Sequence, residues 1–163
     1  MAITKRKTTK EVKLSIPRSI RGEDRKALLD NIGEFLVAEI IQSVEAGVSP
    51  VQGQREFKDL STAYANREKN GDIKANLDLH GDMLNALTYK VVNTNTIEVG
   101  IFDKDQAIKS YAHNTGYRGH PTLARKGLKR QFIPDEKQKF DKSIRNGIDE
   151  LIQEVLDGQA ENL

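Results

Sequence analysis

The chain has 163 residues, no cysteine, a net charge of +2, 37% apolar and 31% charged residues. These values suit one domain that buries its core without disulfides, and they exclude thiolate chemistry and cysteine-based zinc sites. Three histidines alone make a poor zinc set, and the longest apolar run, Phe35 to Ala38, is far too short to span a membrane, so no membrane contact is expected.

Residues 1–11 are polar and basic without a period, and they read as a flexible arm. The segment has no apolar stretch that would make it a secretory signal. Val12, Leu14 and Ile16 then alternate with Lys13 and Ser15, which predicts a short strand ended by Pro17. From Glu23 to Ala46, Leu28, Leu29, Ile32, Phe35, Leu36, Ile40, Ile41 and Val44 recur at three- and four-residue steps, so a long amphipathic helix is expected. Glu23 and Asp24 suit its positive end, and Gly47 is its left-handed stop. Gly33, inside it, points to a close crossing by another element.

Val48 to Gln54 reads as a loop from its Pro and Gly. Phe57, Leu60, Ala63 and Tyr64 mark a shorter helix ending near Asn70-Gly71. Asp72 to Asn76 is a polar connector, and Met83, Leu84 and Leu87 suggest one or two helical turns. Thr88–Val92 and Thr96–Phe102 are rich in β-branched residues and alternate. With Asn93-Thr94-Asn95 between them they predict an antiparallel hairpin. Gly100 marks a bulge or a close approach.

Asp105–His113 reads as a short helix with Ala107, Ile108, Tyr111 and Ala112 facing inward. Gly116–Lys129 holds three of the glycines, a proline and several basic residues, so it reads as an exposed loop. Pro134-Asp135 is expected to open the last helix. Its stripe is Phe140, Ile144, Ile148, Leu151, Ile152, Val155 and Leu156; Gly158 ends it, and residues 158–163 fray. The fold class is therefore α+β: a small antiparallel sheet packed against two long helices, as one domain over residues 12–157.

Charge is unevenly spread. Residues 1–26 hold nine Lys or Arg against three acids, and Arg118–Arg130 adds five basic residues and no acid. Beyond Arg145 the chain carries Asp149, Glu150, Glu154, Asp157 and Glu161 with no basic residue. That asymmetry suits head-to-tail contact between copies, or an anionic partner at the basic end.

Several chemistries can be weighed on the residues. His113 and His120 could hold a divalent metal, but a hydrolytic site wants carboxylates beside them, and Asp103, Asp105 and Asp135 stand some way off in sequence. The plainer reading has His113 capping its helix and His120 in solvent. His80 with Asp82 could transfer a proton, but Gly81-Asp82 reads more simply as a tight helix entry. Nothing resembles a phosphate loop, a dinucleotide fingerprint or a nucleophile elbow. No catalytic residue, cofactor or metal site is assigned. Arg118, Arg125, Lys126, Lys129 and Arg130 around Tyr117 could grip phosphates or meet an acidic protein surface equally well.

The order of these elements resembles the tail-completion (virion morphogenesis, neck) proteins of tailed bacteriophages. The matching stretches are Gly47 to Gly53, Tyr64, Leu77 to Leu84, Ile97 to Gly100, Tyr111 to Gly116 and Phe132 to Pro134. The resemblance extends over about residues 20–157, nearly the whole domain. Arg118–Arg130 departs from the pattern: it is more basic and lacks a Pro-Ala-Arg-Pro run. The resemblance implies a non-enzymatic virion protein. It would form a homo-oligomeric ring between the connector on the portal side and the tail-tube proteins, after synthesis in the host cytoplasm. Ring contacts would then come from Val48, Ser49, Pro50, Gln52 and Gln54, from Thr94 and Asn95, and from Tyr117, Arg118, His120, Arg125, Lys126, Lys129 and Arg130. DNA contact through the basic arm and loop is the alternative, and a metal-dependent hydrolase using His113 and His120 a third.

Overall fold

The alternation near the start of the chain does build a strand, but earlier than its apolar residues suggest. The computed structural model describes residues 8–54, 56–57, 59, 62–68, 82–115 and 129–162. Strand β1 runs Thr8–Lys13, so Thr8 to Glu11, assigned above to the arm, belong to the sheet. Pairing decides this, not hydrophobicity: Thr8 lies opposite Ile101 and Val12 opposite Ile97. Leu14 extends the ladder by one bond, its N–H donating to the Asn95 carbonyl at 2.7 Å.

Helix α1 spans Gly22–Glu45 and buries Leu28, Leu29, Ile32, Leu36, Ile40 and Val44 along one face. Burying each such aliphatic side chain contributes roughly 1.5–3 kcal/mol. Gly47, at φ 75°, turns the chain out of the helix. Helices α2 (Thr62–Glu68) and α3 (Asp82–Asn85) are short. Strands β2 (Leu87–Asn93) and β3 (Thr96–Ile101) form the hairpin. Asn93 pairs with Thr96, so the turn is only Thr94-Asn95, and the ladder's irregularity falls between Val91 and Asn93 rather than at Gly100. Gly100 instead marks a close approach. At φ 152° it lies where an added Cβ would run into the Thr8 carbonyl and Thr9 Cα.

The sheet order is β1-β3-β2, all antiparallel, with β3 central. Ile97, Val99 and Ile101 of β3 point into the core beneath which α1 runs. Gly33 is the crossing point, since a Cβ there would overlap the Tyr89 ring. Helix α4 (Lys104–Thr115) packs on α3 and on the end of the sheet. Its inward positions are Ser110 and Asn114, with Ala107 packed on the core. The expected stripe through Ile108 is incorrect, because Ile108 is 55% exposed.

Helix α5 spans Lys142–Glu161 and lies beside α1. It starts later than Pro134 because Asp135 closes a local turn. Its Oδ1 accepts from the Lys137 N–H at 2.9 Å and the Gln138 N–H at 3.1 Å. Such side chain–backbone bonds compete with helix nucleation. Phe140 therefore precedes the helix, bridged to Val51, while α5 continues past Gly158.

Tyr89 provides a pH test of the α1–sheet contact. Burial first, and then its hydrogen bond to Asp30 (3.2 Å), raise its hydroxyl above the ordinary value. Folding therefore favours the protonated phenol. That contribution is whole below about pH 10 and is lost as pH rises through the higher folded value. Denaturant unfolding of the native chain between pH 9 and 11.5 should show stability falling along this limb. Tyr89→Phe should flatten the fall; an unchanged slope would assign it to other groups.

Candidate interaction surface

The segment after α4 is fixed by one buried amide. Asn114 Oδ1 accepts from the Phe132 and Ile133 N–H groups at 2.9 and 2.8 Å, and its Nδ2 donates to the Ile133 carbonyl at 2.9 Å. The Arg130 N–H donates to the His113 carbonyl at 2.9 Å. Gln131 and Gln138 exchange side-chain amide bonds, and Ser49 Oγ donates to the Gln131 carbonyl. Phe132 and Ile133 then insert into the core. The two roots of the predicted basic loop, Thr115 and Lys129, are thus held close by hydrogen bonds on buried partners. Tyr117, Arg118, His120, Arg125 and Lys126 lie outside the described residues.

The expected contact residues divide by burial. Gln52, Gln54, Thr94, Asn95 and Lys129 are exposed, and Val48 is half-buried. Three assignments are corrected. Ser49, 2% exposed, and Pro50 are buried, because Ser49 hydrogen-bonds Gln131 and the Pro50 carbonyl accepts from the Asp141 N–H. Arg130, 8% exposed, is folded in beside the Asn114 clamp rather than displayed to a partner. The Val48–Gln54 loop is therefore largely a structural bracket. Val48 bridges Glu56, Val51 bridges Phe140, and the Phe57 N–H donates to the Gly47 carbonyl at 2.7 Å.

The hairpin tip is both exposed and rigid. Arg25 Nε donates to the Thr94 carbonyl at 2.6 Å, while its Nη1 donates to the carbonyls of Pro17 (3.2 Å) and Ile20 (3.0 Å). One guanidinium ties the tip to the entry of α1. Asn93 Oδ1 accepts from the Asn95 N–H at 3.0 Å, which holds the turn from within.

Sequence reasoning missed the side of this hairpin. Val91 and Val92 are 43% and 48% exposed on β2, an outer strand of the sheet. The signal was available: consecutive valines in a strand cannot both face one core. On the sheet face opposite Tyr89 and Val91, Lys90 Nζ sits 4.1 Å from the centre of the Phe102 ring, a cation–π contact. Among the described residues no group of three or more His, Asp or Glu side chains is gathered as a metal ion would require. No described helix is long and apolar enough to cross a membrane. Of known proteins, no family model, curated protein or solved structure matches this chain.

Proposed function

We propose that this protein is a structural subunit of a tailed-phage neck or tail, acting by contact between copies and not by catalysis. The observation that carries the reading is the exposed Val91–Val92 pair on an outer strand, next to the anchored tip Thr94-Asn95. Among the described residues no strand pairs with the outer edge of β2, and a strand edge with apolar side chains invites pairing or packing by another chain. The resemblance to tail-completion proteins supplies the context, a ring joining the head connector to the tail tube. The uneven charge along the chain supports head-to-tail packing of copies.

Sedimentation of the full chain over a wide concentration range, alone and with purified connector and tail-tube proteins, tests this. Multimers, or a complex with those rings, are expected. Val91→Glu with Val92→Glu should weaken association by at least about tenfold, or ~1.4 kcal/mol, while leaving the melting temperature nearly unchanged. A chain that stays monomeric alone and beside these partners would overturn the reading. Salt-steep DNA binding lost on neutralising Arg125, Lys126 and Lys129 would favour the nucleic-acid alternative instead.

A further inference from the structure

Strand β1 is the sheet's other outer strand, and among the described residues no strand pairs with its free edge either. Leu14 directs its N–H to Asn95, so antiparallel alternation turns the N–H and C=O of Thr9, Glu11 and Lys13 away from β3. The same alternation, carried across β3, puts the N–H and C=O of Tyr89 and Val91 on the outer edge of β2. Side chains divide by face. Lys10 and Val12 lie on the core side, as Tyr89 and Val91 do, while Thr9, Glu11 and Lys13 share the other face with Thr88 and Lys90. Beyond the β1 edge runs a groove of about 860 Å³ between β1 and α5, with Phe140, Ile148 and Ile152 as its apolar side. Glu11 lies opposite Glu98 of β3, a like-charged pairing that costs stability in a sheet.

We infer that the β1 edge receives the β2 edge of a second copy, so that one sheet runs on from subunit to subunit. The inference rests on the contact between copies proposed above and names the surface that Val91 meets. Joining unlike edges with the helices kept on one side leaves strand direction unchanged. Since β1 and β2 both run antiparallel to β3, they pair in parallel across the joint. In a parallel ladder a residue bonds to the two neighbours of the residue it faces. Glu11 therefore faces Thr88 or Lys90 of the second copy, and charge selects Lys90. Both side chains are exposed. In that register Thr9 meets Thr88 of the second copy and Val12 meets Val91 of the second copy; the other would set Lys13 against the second copy's Lys90. The Glu11 N–H donates to the carbonyl of Tyr89 of the second copy, and the N–H of Val91 of the second copy donates to the Glu11 carbonyl. Val91 of the second copy enters the groove from the core side, and Lys90 of the second copy offsets the Glu11–Glu98 repulsion. Strand addition of this kind takes its affinity from backbone bonds and its specificity from the side chains between them.

The natural chain is cysteine-free, so disulfide trapping reads the joint directly. Full-length Glu11→Cys and Lys90→Cys chains, tagged to differ in size, should give a mixed disulfide dimer when combined and oxidised, in clear excess over either like-with-like dimer. By sedimentation, alone and with the connector and tail-tube proteins, Glu11→Lys and Lys90→Glu should each weaken association by about tenfold, and the chain carrying both should recover to within about threefold of the native value. Glu11→Lys removes the repulsion with Glu98, so its melting temperature should not fall. Association without the mixed disulfide, or a double variant no better than the single ones, would overturn this inference and leave the contact reading standing. A like-with-like dimer of Lys90→Cys chains would overturn it in favour of a two-fold joint between β2 edges. Exchange protection of the Glu11 and Val91 amides that persists at high dilution would also overturn it, because the chain would then be covering its own edges. A chain monomeric under every condition would overturn both.

Discussion

Asn114→Ala is expected to lower the unfolding free energy by roughly 3–5 kcal/mol, because it orphans the Phe132 and Ile133 N–H groups and leaves the Ile133 carbonyl with only the Gln131 Nε2 donor at 3.1 Å. All three lie in the interior, where no solvent can replace the lost amide at low cost. Native domains have only about 5–15 kcal/mol to lose, so the melting temperature should fall by about 10 °C or more. Calorimetry would read this directly, and a shift under about 3 °C would show that the clamp is dispensable. Asn114→Asp sharpens the test. It keeps the two accepted bonds but sets a carboxylate oxygen against the Ile133 carbonyl. Burial should raise that carboxyl above its usual value, so the variant gains stability as pH falls, when a protonated oxygen can again donate. Alanine at the same position should show no such gain.

Gly100→Val is expected to cost roughly 3 kcal/mol or more, from strain at a φ that side chains rarely adopt plus a collision with backbone. The obstacle is the Thr8 carbonyl and Thr9 Cα, which cannot rotate aside as a side chain would. Strand β1 must separate from β3 near Thr8, while β2 and β3 can remain paired. Exchange rates should therefore rise first for β1 amides and much less for the hairpin. A variant with native melting and a protected β1 would mean that the close approach relaxes without loss.

The contrast between these two positions explains what the sequence disclosed. Gly33 and Gly100 each sat where a regular element should not need glycine, and each proved to be a point of contact with another part of the fold. The α1 stripe from Leu28 to Val44 and the alternation of Ile97, Val99 and Ile101 were legible because burial follows the period of the element. Asn114 carried no comparable mark. A polar residue near a helix end usually faces water, and only tertiary partners 18 and 19 residues away in sequence reveal it as a clamp. Arg130 misled for the same reason: a run of basic residues reads as a surface, and no composition rule separates the one folded inward. Pro134-Asp135 is a sound helix-opening signal that was consumed by a turn, with Gln138 Oε1 accepting from the Asp135 N–H at 3.0 Å. The candidate surface was legible only at the tip. Thr94 and Asn95 followed from turn chemistry, whereas the consecutive valines beside them signalled only that both cannot face the core, and the exposure of each followed from the fold.

The Arg25 tether has a kinetic corollary. A turn already fastened to a helix has few conformations to surrender on docking, so in the proposed assembly a neighbour meeting Thr94-Asn95 would encounter a preformed knob. Its encounter should resemble rigid-body fitting, with little ordering penalty and an association rate insensitive to added osmolyte. Removing the tether with Arg25→Met would keep the same contact residues but leave the tip less ordered, slowing productive collisions and shifting recognition from lock-and-key toward induced fit.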